Sequence, residues 1–366
     1  MIRWGRVPSL QEKIQELLGG IAVGPVVGVD LGSHSIKVCE VSGSRGKWRL
    51  ERFAMVPLSE AAIIDDEFQK PEELVEAITL GLKNAGIKSK NIVIGLYGQN
   101  TMTKRMSVPE GTKEEIQDHI MWESEQYIPF GADESEVDFH IIGDTEGGGK
   151  DAIVVAARTE VVERFQNLLK EAKLQVKYVD LNVIALSNLF EETAVVENPD
   201  LAEGSILIDY GAQSIKIVIY RNGGPIFTKE LAMGGSLITE EIQRQMAVSY
   251  EEAEDLKISR DDNGNLPEEI LKIIQAQLES HVAEIKKNLN FYISSGSTEQ
   301  VTNCFLMGGG SRLPLLKEML QTTLGMEVVE FSPFDYGMKF GNGSLSNNAE
   351  IISAVANVAL GLGMRS

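Results

Sequence analysis

Two aspartates end near-identical segments of this chain. Asp30 closes the run Val26-Val27-Gly28-Val29 and is followed by Leu31-Gly32-Ser33-His34-Ser35-Ile36-Lys37-Val38. Asp209 closes Ser205-Ile206-Leu207-Ile208 and is followed by Tyr210-Gly211-Ala212-Gln213-Ser214-Ile215-Lys216-Ile217. In both, an apolar run rich in Val and Ile stops at Asp-x-Gly and resumes after Ser-Ile-Lys, so the chain reads as a duplication of a buried strand with a tight turn. Glycine lets such a turn bend sharply and approach a ligand. Its consecutive N–H groups form a concavity suited to phosphate. A carboxylate beside phosphates is a direct or water-mediated partner for Mg²⁺, which makes Asp30 and Asp209 the metal candidates. Facing each other, the two turns would clamp a polyphosphate. Two ordinary hairpins would explain one copy as well, but explain two copies and a matching third element poorly.

The third element is Asn303-Cys304-Phe305-Leu306-Met307-Gly308-Gly309-Gly310-Ser311-Arg312-Leu313-Pro314. An apolar strand enters three glycines, and a helix is predicted over Leu313–Leu324. Flexible backbone at a strand-to-helix junction suits a flat ligand, and the Arg312 guanidinium can stack on a base. No Walker A pattern is present, which argues against a P-loop enzyme.

These ordered motifs, from about residue 24 to 364, resemble the actin-like ATPase superfamily. Asp30-x-Gly32-Ser33-x-x-x-Lys37 is similar to its first phosphate motif, Asp209-x-Gly211 to its second, and Gly308 to Pro314 to its adenosine motif. Ala253-Glu254-x-x-Lys257 resembles the segment whose Glu meets the ribose and whose Lys lies near the adenine. The resemblance implies ATP and Mg²⁺ as ligands. It implies phosphate contacts from Gly32, Ser33, Ser35, Lys37, Gly211, Ala212 and Gln213, and adenosine contacts from Glu254, Lys257, Gly308, Gly309, Gly310, Ser311 and Arg312. Val179–Phe190 and Ala354–Gly363 resemble the two helices that connect the lobes. In related ATPases a Glu or Gln that orients the attacking water starts the first of these helices; the matching residue is Asn182. Asparagine can bond a water but cannot act as a base near neutral pH. Asp180 is a substitute whose ordinary role would be to cap the helix. Gln213 stands where actin-like loops often have glycine. The expectation is ATP binding with slow or absent hydrolysis.

The elements around these turns give an α/β, ribonuclease H-like duplicated fold of two lobes. The expected divisions are an N-terminal segment 1–24, subdomain 1A over 25–100, a 1C subdomain over 101–178, a connecting helix over 179–200, 2A over 201–234, 2B over 235–300, 2A again over 301–345, and a C-terminal connecting helix over 346–366. Only a short stretch separates the third strand (Trp48–Pro57) from the helix at Pro71–Asn84, which leaves no room for a 1B subdomain. The insertion falls later, as strand Thr103–Val108, helix Thr112–Tyr127, strands Val137–Ile142 and Ala152–Ala157, and helix Glu160–Ala172. Thr112 and Glu115 fit a capping box, and Gly147-Gly148-Gly149 a hairpin loop. A subdomain in this place resembles the 1C of the FtsA and PilM families. The stretch Glu125-Gln126-Tyr127-Ile128-Pro129-Phe130 resembles the PilM family of type IV pilus assembly proteins.

That second resemblance implies a cytoplasmic, ATP-binding adaptor recruited to the inner membrane through a partner. The partner is the N-terminal cytoplasmic tail of a PilN-like membrane protein, docked in a groove of 1A and 1C, with other pilus inner-membrane components, motor ATPases and self-association as further contacts. The helix Ile116–Tyr127 and Ile128-Pro129-Phe130 are expected either to line that groove or to form the core of 1C. The alternative is an FtsA-like filament former, although an FtsA-type C-terminal linker and membrane helix is not expected after Gly363. A third option is a nucleotide-dependent phosphotransferase.

Composition sets the outer bounds. The 366 residues suffice for two or more cores, and 43% hydrophobic with 24% charged residues is ordinary for a folded protein. A formal net charge of −20 argues against nucleic-acid binding and broad adhesion to anionic lipid. Cys39 and Cys304 fall in strands predicted to be buried, and the four histidines lack metal-ligand spacing. No apolar stretch reaches the roughly 20 residues of a membrane span. Leu10–Leu18 reads as a short amphipathic helix that would pack on the first lobe or a partner, or touch a membrane with Arg3, Trp4 and Arg6.

Overall fold

The computed structural model describes residues 26–124, 126–145, 147–259, 266–294 and 301–365. The segment 1–24, with its expected helix over Leu10–Leu18, lies outside them, as does Glu125.

Two sheets of the same topology carry the fold. In the first lobe, β1 (Val27–Leu31), β2 (Ser35–Ser42) and β3 (Arg49–Pro57) form an antiparallel meander. A two-stranded hairpin, β4 (Ile63–Ile64) and β5 (Glu67–Phe68), leads into α1 (Pro71–Ala85), which starts on a proline and ends on left-handed Gly86. β6 (Asn91–Leu96) then pairs in parallel with β1. Next comes an inserted antiparallel sheet of β7 (Thr101–Val108), β8 (Ser135–Asp144) and β9 (Lys150–Arg158), ordered β7-β9-β8, with α2 (Lys113–Ser124) between β7 and β8. Thr112 and Glu115 exchange the two bonds of the capping box ahead of α2. After α3 (Thr159–Glu171), β10 (Gln175–Leu181) pairs in parallel with β6.

β10 corrects the expectation that a helix starts at Val179. Val176, Tyr178, Val179 and Leu181 favour a strand, and an open parallel partner in β6 decides for it. The connecting helix α4 therefore spans Asn182–Phe190 and runs into a π-helical turn over Glu191–Val195.

In the second lobe β11 (Ser205–Tyr210), β12 (Ile215–Arg221) and β13 (Gly224–Leu231) repeat the meander. Then follow α5 (Gly235–Met246), α6 (Tyr250–Ile258) with a Ser249/Glu252 capping box, and the long α7 (Glu268–Ser294). β14 (Asn303–Met307) pairs in parallel with β11, and β15 (Val328–Glu330) with β14. The helix predicted over Leu313–Leu324 begins later, as α8 (Leu316–Leu324) after a short 3-10 turn at Gly309–Arg312. Pro314 lacks an N–H, and Leu315 sits at φ 68°, so no helix can run through them. β16 (Lys339–Phe340) returns to pair with β3 of the first sheet. The predicted last helix is two, α9 (Ala349–Val355) and α10 (Asn357–Gly363), where the Asn357 amide donates to the carbonyls of Ser353 and Ala354.

The sheet orders are β10-β6-β1-β2-β3-β16 and β13-β12-β11-β14-β15. One face of the first sheet packs on α1 and α3 through Val29, Ile36, Ile78, Ile94 and Phe165. One face of the second packs on α5, α7 and α8 through Ile208, Ile217, Ile238, Ile274 and Leu316. The remaining faces share a third core with α4, α9 and α10, where Val93, Leu186, Phe190, Tyr220, Phe305 and Leu360 meet. The helices approach closely: a Cβ on Gly361 would lie 2.0 Å from the Ala185 carbonyl oxygen, and one on Gly28 2.1 Å from that of Ala359. In the inserted sheet Ile116, Ile120, Ile128 and Phe130 are buried against Val154 and Ala156. They form the inside of that subdomain, while Trp122 on the same helix as Ile116 and Ile120 is exposed.

Candidate functional site

The duplication extends to register. Asp30 sits opposite Lys37 across β1–β2, and Asp209 opposite Lys216 across β11–β12. Each aspartate pairs with its own lysine: Lys37 Nζ is 3.2 Å from Asp30, and Lys216 Nζ is 3.6 Å from Asp209. Both carboxylates are buried, and the charge of Asp30 acts on Asp209. Burial raises the Asp209 carboxyl above the usual range, with Asp30 adding to the shift and Lys216 opposing it. Burial also acts to lower Lys216, but Glu230, Asp209 and Asp30 outweigh it and the amine is raised. Lys216 further donates to Ser214 Oγ (3.0 Å) and lies 3.7 Å from Glu230. Sequence reasoning singled out Lys37 and passed over Lys216. The signal was present in the second Ser-Ile-Lys.

The three glycine loops converge on these aspartates. Gly308, at φ 85°, lies so close to β11 that a Cβ would be 2.4 Å from the Tyr210 carbonyl oxygen and 2.7 Å from Asp209 Oδ1. The Gly211-Ala212 loop accepts bonds at its carbonyls from the N–H groups of Gly235 and Ser236, which begin α5. Gly309 starts, and buried Ser311 follows in, the 3-10 turn, whose Arg312 pairs with exposed Glu350. The Tyr210 ring lies against Gly310, and its hydroxyl shares a 2.5 Å hydrogen bond with Nδ1 of buried His281 on α7.

Glu254 and Lys257 face the same place from α6. Lys257 Nζ donates to Glu254 Oε2 (2.6 Å), Thr239 Oγ1 (2.8 Å) and the Gly235 carbonyl (3.2 Å). Burial would raise the Glu254 carboxyl, but Lys257 and the Thr239 hydroxyl hold it below the usual range. Lys257 is lowered by burial, with Glu254 opposing. His34, beside Ser33 and before Ser35 on the first-lobe turn, is in electrostatic range of Glu254, Lys257 and Lys37. The first glycine turn and the Ala253-Glu254 helix thus face one interlobe cleft.

The two weaker catalytic candidates are placed differently. Asn182 is buried at the start of α4, its Oδ1 without a protein partner and packed where a Cβ on Gly95 would lie 2.0 Å away. Asp180 points to Arg365, with Nε 2.7 Å and Nη2 2.6 Å from Oδ2, both residues fully buried. Asp180 Oδ1 accepts from the Leu181 N–H (2.8 Å), and no side-chain bond caps α4. Gln213 sends its side chain out of the second lobe, Nε2 donating to the Ile63 carbonyl (2.9 Å). Glu230 Oε2 accepts from the Gly98 N–H of the first lobe (2.8 Å), and Arg105 of β7 donates to the Arg221 carbonyl (2.6 Å). Among the described residues no cluster of three or more acidic, His or Cys side chains forms a self-sufficient metal cage, and no helix is long and apolar enough to cross a membrane.

Two equivalent sheets, each ending in an Asp-x-Gly turn at a shared cleft, define a two-lobed protein of the actin-like class. The solved PilM-PilN type IV pilus biogenesis complex superposes with a TM-score of 0.79 at 25% identity, over 93% of this chain and 98% of that one. The ethanolamine utilization protein EutJ from Carboxydothermus hydrogenoformans shares the fold at a TM-score of 0.57 and 15% identity, over 93% of this chain and 89% of that one. The cell division protein FtsA of Streptococcus pneumoniae is 22% identical over 85% of this chain and 76% of its own length. The family described as type IV pilus assembly protein PilM matches residues 28–366, and the chain belongs to that family.

Proposed function

We propose that this chain binds ATP with Mg²⁺ between its lobes, turns it over slowly or not at all, and serves as a cytoplasmic adaptor of the type IV pilus inner-membrane complex. In this reading it holds the short cytoplasmic tail of a PilN-like protein in a nucleotide-dependent way. The carrying observation is the pair of Asp–Lys couples in identical register at the facing strand ends, within a chain of the PilM family. The donor set fits: Lys37 and Lys216 with the turn amides suit a polyphosphate, and two buried carboxylates suit a hydrated Mg²⁺ whose remaining ligands are waters and phosphate oxygens. Mg²⁺ would neutralise phosphate charge there, while Gly308 to Arg312, Glu254 and Lys257 would hold the nucleoside. Asn182 can bond a water but cannot take its proton, which supports slow turnover.

A groove between the β4–β5 hairpin, the start of α1 and α3 supports the partner reading. It is lined by Phe68, Pro71 and Leu168 with Glu160, Glu163 and Arg164. Apolar walls under carboxylates suit a short tail carrying aliphatic and basic side chains. The FtsA relative supports a second reading, a filament former, for which ATP-dependent pelleting is the test. The primary test is calorimetric titration of MgATP into the wild type and Asp209→Ala, each with and without a PilN-like tail peptide. ATP binding lost in the variant, and peptide affinity that rises or falls with ATP, is the expected result. Absence of ATP binding in the wild type removes the site assignment.

A further inference from the structure

The departure at Gln213 has a partner on the other lobe. Its amide crosses the cleft to the Ile63 carbonyl of the β4–β5 hairpin. A second tie runs beside it: Lys216 lies near Glu230, Glu230 accepts from the Gly98 N–H, and the Gly98 backbone rests on Asp66, whose Oδ2 would be 1.8 Å from a Cβ at 98. Asp65 and Asp66 turn the hairpin at φ 49° and 65°, a conformation that aspartate tolerates better than most residues. The hairpin's other side belongs to the groove. The Asp66 carbonyl accepts from Arg164 Nη2 (3.2 Å), Glu67 pairs with Arg164, and the Arg164 guanidinium lies 5.4 Å from the Phe68 ring. Phe68 in turn packs 4.9 Å from Phe165 of α3.

We infer that the β4–β5 hairpin is a strut between the second phosphate turn and the groove, with Gln213 on its cleft side and the Glu67–Arg164 pair on its groove side. A nucleotide can shift this arrangement only by binding one lobe closure better than another. The Gln213–Ile63 bond exists only in closures that bring the second phosphate turn against the hairpin, so occupancy and groove shape are biased by the same contact. This rests on the proposed nucleotide reading and adds its route.

Hydrogen–deuterium exchange of the full chain, with and without MgATP, tests it without the partner. In the wild type MgATP is expected to slow amide exchange in residues 58–70 and 159–171. Gln213→Ala should lose that response in both segments, by roughly fivefold, the factor one net hydrogen bond carries. Glu67→Gln should keep wild-type ATP affinity and the response in 58–70 but lose it in 159–171. A wild type that binds ATP with neither segment responding, or a Gln213→Ala variant that keeps both responses, overturns the strut while leaving the nucleotide reading intact. A wild type that does not bind ATP overturns both.

Discussion

Replacing Gly310 by alanine should unsettle the second lobe and the proposed nucleotide site together. An added Cβ would lie 2.1 Å from Tyr210 Cδ1, 2.8 Å from Cε1 and 3.0 Å from Cγ. No real Cβ tolerates 2.1 Å, so the ring must move. It cannot swing freely, because it is fully buried and its hydroxyl is held 2.5 Å from His281 Nδ1. Overpacking of this kind costs about 1–3 kcal/mol. Tearing the hydroxyl from a buried imidazole adds about 1–3 kcal/mol. Roughly 2–6 kcal/mol corresponds to a fall on the order of 5–20 °C in the second-lobe unfolding transition. Gly310 is outside the left-handed region, so alanine meets no backbone penalty and the loss is steric. Thermal and urea unfolding of the wild type, Gly310→Ala, Tyr210→Ala and the double variant close a cycle. The double variant should be more stable than the two single losses predict, by at least about 1 kcal/mol. An unchanged midpoint and ATP affinity in Gly310→Ala, or strict additivity in the cycle, would refute the reasoning.

Asp180→Asn should cost about 3–5 kcal/mol, since it strands the Arg365 guanidinium in a fully buried site; unfolding curves measure this, and any ATP turnover per folded molecule should not change. His281 is lowered below its ordinary 6.5 by burial. The unfolded chain therefore binds a proton first, and stability that is full above pH 6.5 is lost as pH falls toward the folded value. His281→Gln should remove its share of that slope, at most about 1.4 kcal/mol per pH unit, in denaturation between pH 7.5 and 5. ATP turnover by the pure protein should stay below about 1 s⁻¹; phosphate release at or above that rate contradicts the role given to Asn182.

The duplicated aspartates were legible because strand, turn and Ser-Ile-Lys repeat as a local pattern, and pairing register follows from it. The same pattern held the signal for Lys216, which only a symmetric treatment of both copies would have raised to a site residue. The resemblance puts the start of the connecting helix at Val179, three residues early, because the parallel edge of β6 that draws Val179 to Leu181 into β10 is not visible in a linear motif. The Tyr210–His281 bond, the Asp180–Arg365 pair and the reach of Gln213 to Ile63 join residues 71, 185 and 150 positions apart. No periodicity encodes such meetings; they depend on how the lobes and helices pack. The glycines at 308 and 310 were visible as flexible backbone, but the strand and ring they make room for were not.

The way α10 closes the first lobe bears on the order of assembly during synthesis. Cys39 on β2 donates its thiol proton to the Ala359 carbonyl, 320 positions downstream, and Leu360 and Leu362 cover the sheet face behind β1. Until residues near 360 leave the ribosome, that face is bare, and contacts of such separation form late. The second sheet waits as well: Tyr220 and Phe305 on its inner face share that core with Leu360, although its outer core draws only on residues 206 to 328. Each lobe can therefore close its outer core early, from residues 27 to 184 in the first and 206 to 328 in the second, while the core shared between the sheets is expected to form last and its bare inner faces to be the surface that a chaperone would shield meanwhile.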